Sequence, residues 1–138
     1  MMYNLLPDFV SNDQRGKLVQ IVREGYCQVN YIESVSGAIR GYHYHKYNCE
    51  IFYITKGKIE VAVWKVDEEG IAYTETFETR NYKRNDFFKI DPYTAHVFTY
   101  HEDSALISMY NKGVELPDGR MDIFKVSEKE YLRMEKGE

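Results

Sequence analysis

Two histidines spaced two residues apart, with a glutamate five residues further on, form the most chemically suggestive pattern in the chain. His43 and His45 point to the same face if they lie on a β-strand, and a short connection then places Glu50 on the next strand. Two neutral nitrogens and one carboxylate form a ligand set suited to Fe(II), Mn(II), Ni(II) or catalytic Zn(II). His96 is the candidate for a fourth ligand from a distant strand. The sequence therefore predicts one divalent transition metal (Zn, Fe, Mn or Ni) bound by His43, His45, Glu50 and His96.

The strand that begins at Glu50 is expected to direct its carboxylate inward. Glu50, Phe52 and Ile54 share one face, because successive side chains of a strand point to opposite faces. An inward carboxylate must be paired, protonated or bound to a metal, because burying it alone is very costly. His101, in contrast, lies in a polar turn and is interpreted as an ordinary surface histidine.

The elements that would position these residues are short, closely spaced strands separated by turn-forming glycine, proline and aspartate residues. The predicted strands are residues 17–23, 27–35, 39–45, 50–55, 58–65, 71–78, 86–90, 95–100, 105–111 and 121–126. Residues 127–137 are predicted to form a helix, with Ser127 as the N-cap and Glu130 three residues later. This pattern is typical of a sandwich or closed barrel, so the predicted fold class is all-β.

The composition argues against several classes of protein. The length of 138 residues predicts a single domain over residues 1–138. The net charge of −4, with acidic and basic residues mixed, shows no basic stripe of the kind that binds nucleic acid. No apolar run approaches the ~20 residues of a membrane span, and the N-terminus has no secretory pattern. We therefore expect a cytoplasmic protein with reduced cysteines that binds neither nucleic acid nor membrane.

Several apolar segments predict self-association. Residues 9–10, residues 19–22 and the neighbourhood of Phe98 would form exposed strand edges in a monomer. Exposed edges favour pairing with another chain. The sequence therefore predicts a homodimer joined partly by N-terminal strands.

The histidine pattern also resembles the first sequence motif of the cupin superfamily. The match is complete in spacing and comprises Gly37, His43, His45, Glu50 and Gly57. The second cupin motif is kept only in part, with His96 in its expected place. The resemblance implies a cupin barrel, that is, a double-stranded β-helix or jelly roll, with a short C-terminal helix.

Within the cupins, the chain resembles enzymes that reshape nucleotide-linked 4-keto-6-deoxy sugars. Residues 13–18 look like the D-x-R-G opening of these epimerases and ketoisomerases. Residues 28–34, 37–43 and 95–98 are similar to the core of the dTDP-4-dehydrorhamnose 3,5-epimerases. The C-terminal cupin domain of capsular polysaccharide epimerase–reductases is similar as well and also carries His-x-His and the following Glu. The resemblance implies a metal-binding epimerase or ketoisomerase acting on a nucleoside-diphosphate 4-keto-6-deoxy sugar in surface-polysaccharide biosynthesis.

The chain departs from the 3,5-epimerases at the predicted metal ligands. Where those enzymes have His-Tyr-Gln, this chain has His43-Tyr44-His45, and where they carry a lysine on the next strand it has Glu50. Both substitutions replace metal-free acid–base parts with metal ligands. The run from His43 to Lys46 is also similar to the sugar 3,4-ketoisomerases, which use the two histidines as acid and base without metal. Both mechanisms stay open from the sequence alone.

The family resemblance implies roles for individual residues. Tyr110 follows His96 by fourteen residues, where the epimerases place a general acid. Arg40 matches the arginine that contacts the substrate phosphate, although strict alternation would put it and His43 on opposite faces of the strand. A bulge at Gly41 would reconcile the two. The candidate catalytic residues are therefore Tyr110, His43 and His96, and the candidate substrate-binding residues are Arg40 and Lys46.

Two other functions stay open. An Fe(II) dioxygenase also suits a cupin with three histidines and one glutamate, and a non-catalytic sugar-binding or sensing cupin is compatible with the fold. The sugar enzyme is favoured because residues 13–17 and 28–34 resemble those families outside the metal motif. Epimerisation and ketoisomerisation start from the same enolate, so the sequence does not separate them.

Overall fold

Two antiparallel sheets of five strands each enclose the main hydrophobic core, and a two-stranded hairpin accompanies them. This computed structural model describes residues 1–137, so Glu138, the last residue of the predicted domain, lies outside the described residues. The elements in chain order are β1 (Met2–Asn4), β2 (Phe9–Asp13), β3 (Gly16–Gln20), β4 (Gln28–Ser34), β5 (Ile39–Tyr44), β6 (Glu50–Lys56), β7 (Lys58–Val66), β8 (Ala72–Lys83), β9 (Phe87–Ile90), β10 (Thr94–Tyr100), β11 (Ser104–Tyr110), β12 (Phe124–Lys125) and α1 (Glu128–Glu135).

The chain crosses repeatedly between the two large sheets. One sheet has the strand order β1-β9-β6-β11-β4, and the other has the order β12-β5-β10-β7-β8. Successive strands such as β4 and β5, or β9, β10 and β11, therefore lie in different sheets, which is the arrangement of a jelly roll. The predicted all-β cupin barrel with a short C-terminal helix is confirmed.

The main hydrophobic core lies between the inner faces of the two sheets. Phe52 and Ile54 of β6 and Phe98 of β10 belong to it and are almost fully buried. Glu50 occupies the first inward position of β6 and is only 3% exposed. As the alternation predicts, the Glu50 carboxylate lies on the same face of β6 as apolar core residues. A hydrogen-bond donor or a cation must therefore compensate its loss of hydration.

Helix α1 packs on the outer face of the second sheet. Tyr131 stacks on the buried Trp64 of β7, with ring centroids 6.1 Å apart, and Met134 joins the same apolar cluster. The helix begins where the capping pattern predicts, because the Ser127 side chain accepts a hydrogen bond from the Glu130 N–H at 3.0 Å. Its last turn ends at Glu135, two residues before the predicted end.

The N-terminal segment differs most from the predicted elements. Strand β1 was not predicted, because a strand of three residues is too short to show an alternating hydrophobic pattern. It forms by pairing with β9. Phe9 and Val10 are exposed on the hairpin, as expected, but Val19 and Val22 are half-buried against the outer face of the first sheet.

The predicted exposed edge near Phe98 is wrong. Strand β10 lies inside its sheet between β5 and β7, and its side chains alternate between the core and the layer beneath α1. Both faces of this strand are therefore covered, and six of its seven residues are buried. Among residues 1–137, no helix has the length and apolar character needed to cross a membrane.

Candidate active site

Three imidazole rings meet inside the barrel. His43 lies on β5, His45 directly follows that strand, and His96 pairs with His43 across β10. One ligand nitrogen from each ring lies within 4.8 Å of the other two. The Glu50 Oε1 atom lies 3.3 Å from His45 Nε2 and 3.8 Å from His96 Nε2. All four residues predicted as metal ligands therefore belong to one cluster, although Glu50 approaches two of the rings more closely than the third.

Hydrogen bonds to main-chain carbonyls define which nitrogen of two rings faces the cluster. His45 Nδ1 lies 2.6 Å from the Asp122 carbonyl oxygen, and His96 Nδ1 lies 3.1 Å from the Thr94 carbonyl oxygen. A carbonyl oxygen only accepts hydrogen bonds, so each Nδ1 carries the hydrogen. In the neutral rings both Nε2 lone pairs therefore point at the Glu50 carboxylate.

This arrangement of acceptors fits a cation. Within residues 1–137, His45 Nε2 and Glu50 Oε1 are buried atoms without a hydrogen bond. Lone pairs that face one another in a buried site repel unless a proton or a metal ion lies between them. A divalent transition metal suits three imidazole nitrogens and one carboxylate oxygen. A proton on His45 that is shared with Glu50 would satisfy the same two atoms.

The histidines differ in their readiness to take a proton. Burial, assisted by the neighbouring His45, lowers the pKa of His43 to about 4. Burial also lowers the pKa of His96 well below its ordinary value, with both other histidines adding to the effect. Burial acts in the same direction on His45, but the Glu50 carboxylate and the Asp122 carbonyl outweigh it and raise the pKa of His45. At neutral pH, His43 and His96 are therefore neutral rings.

Strand β11 brings two hydroxyl groups to Glu50. Ser108 Oγ donates a 2.6 Å hydrogen bond to Glu50 Oε2. Tyr110 pairs directly with Glu50 across the sheet, and its ring lies edge-on to His45 with centroids 5.1 Å apart. Burial, together with the Glu50 carboxylate, raises the pKa of Tyr110, so its phenol keeps its proton. Ser108 was not among the predicted site residues, although strand alternation from Tyr110 places it on the same inward face.

A cavity of about 220 Å³ opens beside this cluster. The candidate catalytic residues His43, His96 and Tyr110 line it, as do Glu50 and Arg40. Apolar side chains from both sheets form the remaining walls, including Phe52 and Phe98. His45 is not among the described residues that line this cavity, and it reaches the site through its contact with Glu50.

A bulge on β5 explains how Arg40 and His43 reach the same cavity. His96 pairs with His43 while the next residue of β10, Val97, pairs with Gly41, so Tyr42 has no partner in the ladder. Gly41 and Tyr42 both have left-handed backbones, with φ angles of 109° and 57°. The extra residue shifts the alternation by one position, so the predicted bulge at Gly41 reconciles the directions of Arg40 and His43.

The two candidate substrate-binding residues occupy different places. Arg40 lies at the cavity, and its Nε donates a 2.8 Å hydrogen bond to Ser34 Oγ. Lys46 lies outside the cavity, with its ammonium group 4.4 Å from the Phe124 ring centroid. Its Nζ donates to the Glu68 carbonyl oxygen at 3.2 Å. Of the two cations, Arg40 is the one that the fold brings to the other site residues, and the role of Lys46 stays a prediction.

Comparison with known proteins places this geometry in a family. The family model described as the polysaccharide biosynthesis C-terminal domain matches residues 11–115. The chain belongs to this family. The match includes the histidine cluster, Glu50 and Tyr110 and ends before Asp122. A search of curated protein sequences with this chain gave no significant match.

Solved structures of sugar-nucleotide enzymes share the fold. The dTDP-4-dehydrorhamnose 3,5-epimerase of Sulfolobus tokodaii superposes with a TM-score of 0.69 at 21% identity, covering 87% of this chain and 74% of its own. ChmJ, a 3'-monoepimerase from Streptomyces bikiniensis in complex with dTDP-quinovose, gives a TM-score of 0.70 at 18% identity, with 92% and 70% covered. A variant of the 3,4-ketoisomerase QdtA from Thermoanaerobacterium thermosaccharolyticum, in complex with TDP-4-keto-6-deoxyglucose, gives 0.61 at 17% identity, with 82% and 80% covered. At these identities the likeness establishes the fold.

Proposed function

We propose that this protein is an epimerase or ketoisomerase that acts on a nucleoside-diphosphate 4-keto-6-deoxy sugar in surface-polysaccharide biosynthesis. The observation that carries the proposal is that one cavity is lined by a proton donor, two neutral histidines and an arginine. Tyr110, His43, His96 and Arg40 all line that cavity. The family match and the structural likeness to sugar-nucleotide enzymes support the same class of substrate.

The reaction requires the removal of a proton beside a ketone. The proton at C3 or C5 of a 4-keto sugar is acidic because the electron pair of the broken C–H bond delocalises onto the carbonyl oxygen. A base must take the proton, and an electrophile must stabilise the developing oxyanion. Return of a proton to the opposite face of the same carbon gives the epimer. Transfer of a proton to the C4 oxygen instead gives an enediol, and loss of the C3 hydroxyl proton with return of a proton to C4 then gives the 3-keto isomer.

The residues of this chain suit these steps. Tyr110 keeps its proton because burial and Glu50 raise the pKa of its phenol, so it can donate to the carbanion. His43 is neutral and lines the cavity, so in the metal-free enzyme it is the candidate base. Arg40 would bind the diphosphate through the guanidinium donors that its hydrogen bonds to Ser34 Oγ and to the Glu33 carbonyl oxygen leave available. The apolar walls exclude water from the enolate.

A divalent transition metal fits the cluster and is part of the proposal. His43, His45, His96 and Glu50 would hold it. When bound, it supplies a Lewis acid that polarises the substrate carbonyl. A histidine that ligates the metal cannot also accept the substrate proton, so metal content decides whether His43 acts as a ligand or as a base.

We further propose that the protein is a cytoplasmic homodimer. Phe9 and Val10 on β2 and Leu18 on β3 expose about half of their residue surface, at 53%, 46% and 59%. A second copy that covers the hairpin would remove this apolar surface from water. The N-terminal strands would then form part of the subunit contact.

Two measurements on the purified protein test the function. Metal analysis should find a divalent transition metal, and His45→Ala should lose it more readily than His101→Ala, whose ring lies in an exposed turn. Incubation in deuterium oxide with dTDP- and UDP-4-keto-6-deoxy sugars should introduce deuterium at C3 or C5, or at C4 where the product is the 3-keto isomer. If no sugar exchanges and another metabolite drives oxygen uptake, the protein is instead a dioxygenase. Tight binding of a sugar nucleotide without exchange would indicate a sensing module.

A further inference from the structure

A fully buried carboxylate lies beside the candidate active site and is not part of the cluster itself. Asp122 Oδ1 accepts a hydrogen bond from the Lys46 backbone N–H at 2.7 Å. Asp122 Oδ2 accepts three more, from the backbone N–H groups of Tyr47 and Asn48 and from Asn48 Nδ2, at 3.1, 2.9 and 2.8 Å. Four donors thus compensate the burial of this charge. The donors belong to the connection between β5 and β6, which joins the two histidines of the motif to Glu50.

The main chain of the same residue contacts a member of the cluster. The Asp122 carbonyl oxygen accepts the hydrogen bond from His45 Nδ1 at 2.6 Å. This bond fixes the Nδ1–H tautomer and directs the Nε2 lone pair towards Glu50. Because the carboxylate of Asp122 is anchored on the β5–β6 connection, its carbonyl oxygen has one position relative to the imidazole ring.

Asn48 extends the network to the strand that carries Tyr110. Its Oδ1 accepts hydrogen bonds from the Lys112 and Gly113 N–H groups at 2.9 and 3.0 Å, and its Nδ2 donates to the Gly113 carbonyl at 2.8 Å. The segment that follows β11 is thereby tied to the same connection. One buried network, the brace, therefore connects three segments around the site, namely the β5–β6 connection, the segment after β11 and Asp122.

We propose that Asp122 is a positioning residue that sets the tautomer and the orientation of His45 through this brace. The inference rests on the proposed role of His45 as a metal ligand or as the proton-sharing partner of Glu50. Asp122 lies beyond residue 115, where the family match ends, so the match itself assigns it no role.

The tautomer of His45 in the wild-type protein is the first test. Nitrogen-15 NMR of the metal-free protein, at a pH high enough for His45 to be neutral, should show hydrogen on Nδ1 and a bare Nε2. The Nδ1 hydrogen should exchange slowly with water, because it is buried against the Asp122 carbonyl. A wild-type His45 with hydrogen on Nε2 would overturn the proposal. This readout depends neither on bound metal nor on activity, so it also decides the proposal if the proposed function fails.

The Asp122→Asn variant is the second test, with Asp118→Asn as its matched control. An amide at position 122 presents N–H groups to backbone donors, so the brace loosens, whereas Asp118 is an exposed carboxylate that pairs locally with Arg120. Asp122→Asn should mix the two His45 tautomers and reduce the affinity for Zn(II) about 10–100-fold. Asp118→Asn should leave both unchanged. A folded Asp122→Asn protein with the wild-type tautomer would overturn the proposal, and if that variant does not fold, the wild-type tautomer decides.

Discussion

Ser108 holds one oxygen of Glu50 and leaves the other to face the histidines. The 2.6 Å hydrogen bond from Ser108 Oγ to Oε2 fixes the rotation of the carboxylate, so that Oε1 points at His45 and His96. A ligand carboxylate commonly depends on such an outer partner for its orientation. The short strand pairing between β11 and β6 therefore has a direct effect on the cluster.

Replacing Ser108 tests this relationship. Ser108→Ala removes the donor, frees the carboxylate to rotate, and should weaken Zn(II) binding about 10–100-fold. The cost in unfolding free energy should stay near 1–3 kcal/mol, because one buried acceptor loses its partner. Isothermal titration measures the first effect and urea unfolding the second. Ser36→Ala is the control, since Ser36 donates to the His101 carbonyl in an exposed turn; an equal loss of affinity there would contradict the role of Ser108.

Metal affinity should depend on pH through a single proton. The pKa of His43 is lowered to about 4 and that of His96 is also lowered, so both rings are already neutral over most of the accessible pH range. The pKa of His45 is raised above 6.5, so its proton must leave as metal binds. Affinity should therefore rise about tenfold per pH unit and level off only above the His45 pKa. Mn(II) or Zn(II) titrations across pH give the slope, and a two- or three-proton dependence would show that the other rings titrate as well.

The bulge at Gly41 should not tolerate a side chain. A Cβ at this position would lie 2.5 Å from the His96 carbonyl oxygen. Gly41→Ala should therefore displace β10 at His96, with a loss of about 1–3 kcal/mol of unfolding free energy from the clash alone. Thermal unfolding and metal titration both report the displacement.

Gly119→Ala separates the clash from backbone strain. Gly119 has a φ of 86° but no atoms near its Cβ position, so alanine there adds only the cost of a left-handed backbone, about 1–2 kcal/mol. Metal affinity should survive in Gly119→Ala and fall in Gly41→Ala. Equal effects in the two variants would mean that the close approach of Gly41 to β10 is unimportant.

Tyr110→Phe should separate binding from turnover. The variant keeps the ring that packs on His45 and removes only the proton donor. It should bind sugar nucleotide normally while turnover falls roughly 10²–10⁴-fold. Tyr31→Phe is the matched control, because its hydroxyl is exposed and contacts only Glu33 among the described residues. If Tyr110→Phe keeps full turnover, another group supplies the proton.

The exposed apolar residues of the β2–β3 hairpin predict a homodimer. Light scattering at micromolar concentration should give the mass of a dimer, twice the 16.4 kDa of the chain. Replacing Phe9 and Leu18 with serine should shift the equilibrium towards the monomer, because the apolar surface that drives association is lost. A wild-type protein that stays monomeric would contradict the proposed dimer.

Local spacing was enough to predict three of the four residues of the cluster, and long-range contacts explain what was missed. His43, His45 and Glu50 lie within eight residues of one another, so strand periodicity alone relates their directions. The contact between His45 and Asp122 spans 77 residues, and no periodic pattern reports it. Arg40 reaches the cavity only because a bulge interrupts the regular alternation of β5. Strand β1 forms only because β9 lies beside it. Regular elements follow from local pattern, whereas braces and bulges depend on which segments meet after folding.

The distance along the chain between the β5–β6 connection, which ends at Glu50, and Asp122, which anchors it, has a consequence for biosynthesis. The ribosome reaches Asp122 seventy-two residues after Glu50, which corresponds to roughly 4–14 s of translation. During that interval the β5–β6 connection lacks the carboxylate that anchors it and the carbonyl that orients His45. The site is therefore completed only when the C-terminal segment emerges, and its specificity for a metal or a proton is a property of the finished protein rather than of the nascent chain.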